Sequence, residues 1–184
     1  LAEQGKQAEG ISQMRQGLAA HRATGSSLDR PYYLAMLAEA YGKTGQVAEG
    51  LTVLAEALAA VDNTRERFYE AELYRLKGTL TLEARGWRRE TSPSSPQASS
   101  LQPQVSEEVV REAEECFLKA IEIAQRQQAK SLELRATVSL ARLWQQQDKQ
   151  PEAHKLLSEV YNWFTEGFET KDLQEAKALL TELT

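Results

Sequence analysis

Residues 38–57 read AEAYGKTGQVAEGLTVLAEA, which is the pattern of two helices joined by a short turn. Gly45 follows a run of good helix formers and is a natural helix stop, because glycine readily adopts the left-handed conformation found just after helices. Leu51, Leu54 and Leu58 then recur at helical spacing. The stretch therefore predicts a helical hairpin with its turn at Gly45.

Features of this hairpin recur at a spacing of forty residues. Small or apolar residues occupy the same offsets, as in Gly5, Gly10, Met14 and Gly17 against Gly45, Gly50, Leu54 and Ala57, and in Ala113, Phe117 and Ala120 against Ala153, Leu157 and Val160. Gly78 and Leu80 are matched sixty-three positions later by Ala141 and Leu143, which is one period plus an insert of twenty-three residues. Such self-similarity is typical of arrays whose units bury their apolar faces against neighbours. The function is therefore expected on a surface.

The fold class predicted from this repeat is all-α. Ala, Leu, Glu, Gln and Arg dominate, and alternation of strand-forming residues is absent. We expect a single domain over 1–184, built as a right-handed superhelical stack of antiparallel helix pairs and cut from a larger protein. The helices are predicted at about 3–21, 29–45, 47–61, 65–84, 107–127, 131–147 and 151–164, with a capping helix at about 171–183. We expect the first helix to be the second half of a unit whose first half lies outside this sequence.

A Ser/Pro-rich stretch interrupts the array at about 86–106. It holds three of the five prolines and little that could be buried. Such composition predicts an inserted loop that projects from a hairpin tip. Trp87 and the arginines near it could anchor a docking segment, although loops of this kind are more often merely tolerated.

The spacing within each unit resembles the tetratricopeptide (TPR) motif. The second unit carries the small and large positions of that motif at Ala38, Tyr41, Gly45, Gly50, Leu54 and Ala57, and the fourth unit at Ala141, Trp144, Ala153, Leu157 and Val160. Small residues let two helices approach closely while aromatic residues fill the space beside them. Gly10 and Gly50 in particular indicate contacts too tight for a methyl group. The forty-residue period and Asp148 in place of a turn glycine depart from the motif, and HEAT-type arrays have units of similar length.

Segments between residues 65 and 184 are also similar to the C-terminal TPR regions of large bacterial signalling proteins. Examples are FYEAELYRLKG at 68–78, SLARLW at 139–144 and WFTEGF at 163–168. Those proteins carry a predicted ATPase and a cyclase-like or DNA-binding domain upstream. The resemblance implies a regulatory module that binds a partner or relays a signal.

Composition and motifs exclude several function classes. The net charge of −5 leaves no concentrated basic surface for nucleic acid. No apolar run is long enough to span a membrane, and a single cysteine, Cys116, suits the cytoplasm. No phosphate-binding loop is present, and His21 and His154 lack further ligands at metal-binding spacing. We therefore expect no catalytic, cofactor-binding or metal site in this chain.

The TPR resemblance implies a concave groove lined by the first helix of each hairpin. Its positions fall at Tyr32, Glu39, Lys43, Glu72, Arg75, Thr79, Glu83, Arg135, Val138 and Arg142. Arg75, Arg135 and Arg142 could form a fork-like clamp for a carboxylate or an acidic peptide, because a guanidinium group pairs bidentately with carboxylates. The competing interpretation is that these arginines pair with nearby acids such as Glu39 and Glu72 and simply solvate the helix face.

The predicted function is thus protein or peptide binding by a non-catalytic signal-relay module. The alternative is a small-molecule sensor in which Tyr32, Tyr74 and Trp144 supply stacking faces, although aromatic residues at these offsets are more often core. Exposed apolar surface at the N-terminal edge, where a partner helix is missing, also predicts self-association.

Overall fold

The computed structural model describes residues 6–25, 28–86 and 106–184, and the secondary structure within these ranges is entirely helical. The eight helices are α1 (Gln7–Ala23), α2 (Arg30–Lys43), α3 (Val47–Thr64), α4 (Glu70–Glu83), α5 (Glu107–Arg126), α6 (Lys130–Gln145), α7 (Gln150–Tyr161) and α8 (Lys171–Glu182). Nearly all of the insert predicted at 86–106 lies outside the described residues.

The helices pair as the forty-residue period predicts. The most extensive contacts are within the hairpins α2–α3, α4–α5 and α6–α7, and each hairpin also packs on the next. The first helices α2, α4, α6 and α8 contact one another in sequence, so they form a continuous layer, called the first-helix layer below. This arrangement is an α-solenoid, and the predicted fold class is confirmed.

The apolar core runs along the stack in overlapping clusters. One cluster joins α2, α3 and α4, a second joins α4, α5 and α6, and a third joins α6, α7 and α8. Each cluster uses both helices of one hairpin and the first helix of the next. No hairpin therefore buries its apolar face without a neighbour, as expected for a repeat array.

Two glycines mark close crossings between the helices of a hairpin. A Cβ atom at Gly50 would lie 2.7 Å from Leu80 Cδ1 and 3.3 Å from the Ala38 carbonyl oxygen. A Cβ atom at Gly78 would lie 2.7 Å from Phe117 Cε1 and 3.0 Å from the Ala113 carbonyl oxygen. The tight contact predicted for Gly50 is confirmed, and the segment around Ala113 packs against α4 as the repeat requires.

Left-handed residues recur in the turns with the same period. Gly25, Arg65 and Gln128 have φ values of 76°, 61° and 55°, and they occupy equivalent turns between successive hairpins. Asp148, with φ of 58°, stands where Gly45 has φ of 76°. An aspartate tolerates this conformation better than most residues. The repeat thus keeps its turn geometry even where the glycine has been lost.

One helix begins later than predicted. The sequence pattern placed the start of α4 at about residue 65, but α4 begins at Glu70. Arg65 takes the left-handed conformation that ends α3, and the chain turns through Arg67 before the new helix starts. The intervening residues belong to the turn.

Candidate binding surface

All ten residues predicted for the groove lie on the first-helix layer. Tyr32, Glu39 and Lys43 are on α2, Glu72, Arg75, Thr79 and Glu83 are on α4, and Arg135, Val138 and Arg142 are on α6. Because α2, α4 and α6 contact one another, these residues belong to one side of the stack. The structure therefore places them on neighbouring helices, although not all of them are accessible.

A buried ion-pair cluster occupies the centre of this layer. Arg75 Nε donates to Glu72 Oε2 at 2.9 Å, and Arg75 Nη2 donates to Glu72 Oε1 at 2.6 Å. Arg135 Nη2 reaches the same Glu72 Oε1 at 3.0 Å from the next first helix. Glu72 is 2% exposed and Arg75 is 6% exposed. One buried carboxylate therefore holds two of the three arginines predicted to act together.

The charges of this cluster shift the pKa values of its members. Burial alone would lower the pKa of the Arg75 guanidinium, but the Glu72 charge and its hydrogen bonds, with a further contribution from Glu39, raise that pKa above its ordinary value. Burial raises the pKa of the Tyr69 hydroxyl, the Glu72 charge adds to this effect, and a hydrogen bond with Arg135 opposes it. Arg75 is therefore a permanent cation, and Tyr69 is neutral at physiological pH.

The third predicted arginine has a different partner. Arg142 Nη2 lies 2.9 Å from Glu175 Oε1 of α8, while Arg135 Nε lies 3.8 Å from Asp172 Oδ2 of the same helix. Arg142 Nε is buried and has no hydrogen-bond partner within the described ranges. The Arg135 and Arg142 side chains remain 27% and 29% exposed. These two arginines are consequently the accessible cations of the predicted clamp.

The α2 part of the surface is less charged. Lys43 Nζ lies 3.3 Å from Glu39 Oε1, one helical turn away. The ring of Tyr32 packs edge-on against Tyr69 at a centroid distance of 4.9 Å, which links α2 to the buried cluster. Thr79 donates its hydroxyl to the Arg75 carbonyl oxygen at 3.1 Å. Because its hydrogen is used in this bond, the Thr79 hydroxyl could contact a ligand mainly as a hydrogen-bond acceptor.

Val138 is a core residue. It is 7% exposed and belongs to the cluster that joins α6 to α8. Its counterparts in the two preceding units are Ala35, which is 1% exposed, and Arg75. The position is buried in all three units because neighbouring first helices pack over it. A ligand can reach little of Val138 or Arg75.

Sequence reasoning missed several residues of this surface. Asp172 and Glu175 on α8 lie beside the accessible arginines, and the predicted Tyr32 belongs to a row of rings that runs from His21 through Tyr33, Tyr32 and Tyr69 to Phe68, with centroid distances of 4.9–5.9 Å. The aromatic residues could have been found from their shared place near the start of α2 and α4. The acids of α8 give no such signal, because their pairing depends on how α8 packs.

Two other aromatic residues have structural roles. Tyr74 accepts a hydrogen bond from Lys119 Nζ at 2.7 Å, and the ammonium group also lies 4.1 Å from the ring centroid. Trp144 donates its indole N–H to Glu114 Oε1 at 2.6 Å and packs against two core clusters. Their contacts belong to helix packing, in agreement with the expectation that these offsets are core.

The cysteine and the possible metal ligands are the remaining chemically capable side chains of the described residues. Cys116 is 6% exposed, and burial raises the pKa of its thiol, so the protonated form dominates at neutral pH. No group of three or more His, Cys, Asp or Glu residues suited to a metal ion occurs in ranges 6–25, 28–86 and 106–184. None of the helices there is both long and apolar enough to cross a bilayer.

Comparison with known proteins identifies the fold. No family model matches the chain, and no curated protein sequence matches it. Two solved structures of a Podosopora anserina protein, described as a putative kinesin light chain with nearly identical TPR-like repeats, superpose with TM-scores of 0.65 and 0.63. The first of the two is a substituted variant of that protein. Sequence identities are 19% and 20%, and each match covers 99% of this chain and 79% of the other. The chain therefore has a TPR-like repeat fold.

Proposed function

We propose that this chain is a non-catalytic protein-interaction module that binds an acidic segment of a partner on the first-helix layer. The observation that carries the proposal is the pair of accessible arginines on α6, Arg135 and Arg142, two helical turns apart. Besides the buried Glu72, Arg135 has the partly exposed Asp172 as a counterion, and Arg142 has the partly exposed Glu175. A partner carboxylate can replace such a counterion at little desolvation cost, whereas the buried pair of Glu72 and Arg75 is inaccessible to it.

The surroundings of Arg135 support this proposal. Its ion pair with the buried Glu72 at 3.0 Å holds the guanidinium group in position before any ligand arrives. Pre-organised groups lose less conformational entropy on binding. Tyr69, which belongs to the aromatic row, adds an amphipathic ring near Arg135, and such rings are favoured at protein interfaces.

The proposal is tested by reversing the two accessible charges. The probe is a fluorescein-labelled set of ten-residue peptides rich in Asp and Glu, and binding is followed by fluorescence anisotropy at low and physiological salt. We expect Arg135→Glu combined with Arg142→Glu to weaken binding at least about tenfold. The matched control is Arg111→Glu combined with Arg126→Glu, which reverses two exposed charges on α5.

The control variant should bind the peptides nearly as tightly as the wild-type chain. Equal losses in both variants would show that only net charge matters. No binding by the wild-type chain would remove the acidic-segment proposal. Circular dichroism of each variant establishes that it has kept the fold.

We further propose that the module relays a signal within a cytoplasmic bacterial regulatory protein. This part rests on the similarity of segments such as 68–78 and 163–168 to the TPR regions of large bacterial signalling proteins. Sequencing the surrounding gene tests it. A phosphate-binding loop upstream would support a regulatory ATPase context, and its absence from the full-length protein would contradict that context.

The small-molecule alternative has little support from the described residues. The two best-formed depressions have volumes of about 440 and 380 Å³, but both are open to solvent. One is lined by residues of α1 and the other lies beside α5 and the end of α6. Neither lies among the groove residues. Thermal-shift screening with metabolites tests this alternative, since a bound effector would raise Tm.

A further inference from the structure

We propose that the place filled by α8 is an exchangeable docking site, and that its external ligand is an acidic amphipathic helix with the side-chain pattern of α8. In this view α8 is a built-in competitor that covers the site until a partner helix replaces it. The inference rests on the proposed function, because the same two arginines, Arg135 and Arg142, receive the acidic residues. It adds the conformation and the sequence pattern of the partner.

The apolar half of the site is a groove between α6 and α7. Leu173, Ala176 and Leu179 of α8, with Leu183 directly after it, are 0–7% exposed and form one cluster with residues of both helices. The groove side includes Leu134, Ala141, Leu157 and Val160. Ala176 is completely buried, so the occupant must carry a small residue at that position. An amphipathic helix in an apolar groove is a common recognition mode.

The ionic half of the site sets the direction of the bound helix. Asp172, near the start of α8, faces Arg135, near the start of α6, while Glu175 faces Arg142 further along both helices. The bound helix therefore runs parallel to α6. Its two carboxylates are one turn apart, which places both on the same side of the helix. Charge and shape together select a five-residue pattern: an acidic residue, a leucine, any residue, a second acidic residue and a small residue, as in residues 172–176 of α8.

Several features make α8 the most readily displaced helix of the layer. Its main contacts within the described ranges are with α6 and α7, whereas α4 packs against α2, α3, α5 and α6. Its two ion pairs are partly open to solvent and so contribute little to stability. The nine residues between α7 and α8 form no regular helix. Elements at the end of an array with few partners open at the lowest free-energy cost.

The experiment uses a fluorescein-labelled synthetic peptide of residues 169–184 as the external helix. The host is the full chain carrying Asp172→Lys and Glu175→Lys, which places like charges opposite Arg135 and Arg142 and weakens the internal α8. We expect this host to bind the peptide about tenfold more tightly than the wild-type chain, because the competitor has been weakened. Fluorescence anisotropy measures both affinities.

Two matched controls define the site. A host with Lys171→Glu and Lys177→Glu changes exposed charges of α8 and should bind the peptide like the wild-type chain. A peptide carrying both lysine substitutions should lose binding to the weakened host. That altered peptide should instead prefer a host with Arg135→Glu and Arg142→Glu over the wild-type chain.

The outcomes separate this inference from the proposed function. Equal affinity of the peptide for the wild-type and weakened hosts, or no binding to either, would overturn the exchangeable site. In that case binding of the acidic ten-residue peptides, with its loss on charge reversal of α6, would still support the proposed function. Loss of both kinds of binding would remove both.

Discussion

The hairpins α2–α3 and α4–α5 make the same close crossing with the glycine on opposite helices. In α2–α3 the glycine is Gly50 on the second helix, and it faces the carbonyl group of Ala38. In α4–α5 it is Gly78 on the first helix, and it faces the carbonyl group of Ala113. Each crossing therefore has a small residue on both helices, a glycine facing an alanine, and either helix can carry the glycine.

The two hairpins also differ at an equivalent buried position of the first helix. Ala35 in α2 and Val138 in α6 fill this position with apolar side chains, whereas α4 has Arg75. An arginine at this buried position needs a counterion, and Glu72, one helical turn before Arg75, provides it. The packing of the layer therefore fixes which positions are buried. A charged side chain at such a position needs a partner of opposite charge from a nearby residue.

Removing the counterion of Arg75 should cause the largest loss of stability. Glu72→Ala leaves the Arg75 cation buried without its main partner, and we expect a loss of about 3–5 kcal/mol in the free energy of unfolding. Arg135 loses one partner as well but keeps Asp172. Urea unfolding followed by circular dichroism measures the change.

A double variant sharpens this prediction. Glu72→Ala combined with Arg75→Val gives α4 the apolar type of residue found at the same position of α2 and α6. We expect it to recover most of the lost stability, because an apolar replacement of a buried ion pair is often neutral or stabilising. If the double variant is as unstable as Glu72→Ala, the loss of stability does not come from the unpaired charge of Arg75.

The glycine of α4–α5 should be the less tolerant of the two crossing glycines. Gly78→Ala would bring a methyl group against the rigid ring of Phe117 and the backbone of Ala113. Overpacking of this kind costs about 1–3 kcal/mol, and the better helix propensity of alanine offsets about 1 kcal/mol of it. We expect a net loss of about 1–2 kcal/mol, measured by urea unfolding. Gly78→Ala should cost less stability in a Phe117→Leu background than in the wild-type chain. An equal cost in both backgrounds would show that the Phe117 ring is not the source of the strain.

The glycine of α2–α3 should give a smaller loss. A methyl group at Gly50 would meet Leu80 Cδ1, which is the end of a flexible side chain, and it lies 3.3 Å from the Ala38 carbonyl oxygen. The other branch of Leu80 points at Gly42, so the side chain cannot move entirely out of the way. We expect Gly50→Ala to cost about 0.5–1 kcal/mol. A loss larger than that of Gly78→Ala would reverse the ranking of the two crossings.

Much of this fold could be predicted from the sequence because it depends on local spacing. The forty-residue period located the hairpins, and the glycine at position 50 identified a close crossing. Arg65 and Gln128 were missed as left-handed residues, since their side chains give no such signal. Their repeat offsets from Gly25 could have identified them.

The binding surface was less predictable than the fold. Motif spacing selected Arg135 and Arg142 correctly as residues of the first-helix layer, but it also selected Val138, which is buried. Which acid pairs with which arginine depends on the packing of α4, α6 and α8, and these helices are far apart in the sequence. Helical periodicity contains no information on that packing, so Asp172 and Glu175 could not be assigned in advance.

The smallest expected effect concerns a glycine that makes no crossing contact. Gly17 on α1 is exposed, and a Cβ atom there would meet nothing within 4 Å, whereas its repeat counterpart Ala57 on α3 is completely buried. Gly17→Ala should therefore stabilise α1 by about 0.5 kcal/mol through helix propensity alone. Hydrogen exchange of the α1 amides measures this gain. A loss of stability, together with a lower mass in light scattering, would show that the predicted self-association covers this face and that Gly17 is a crossing glycine between two copies.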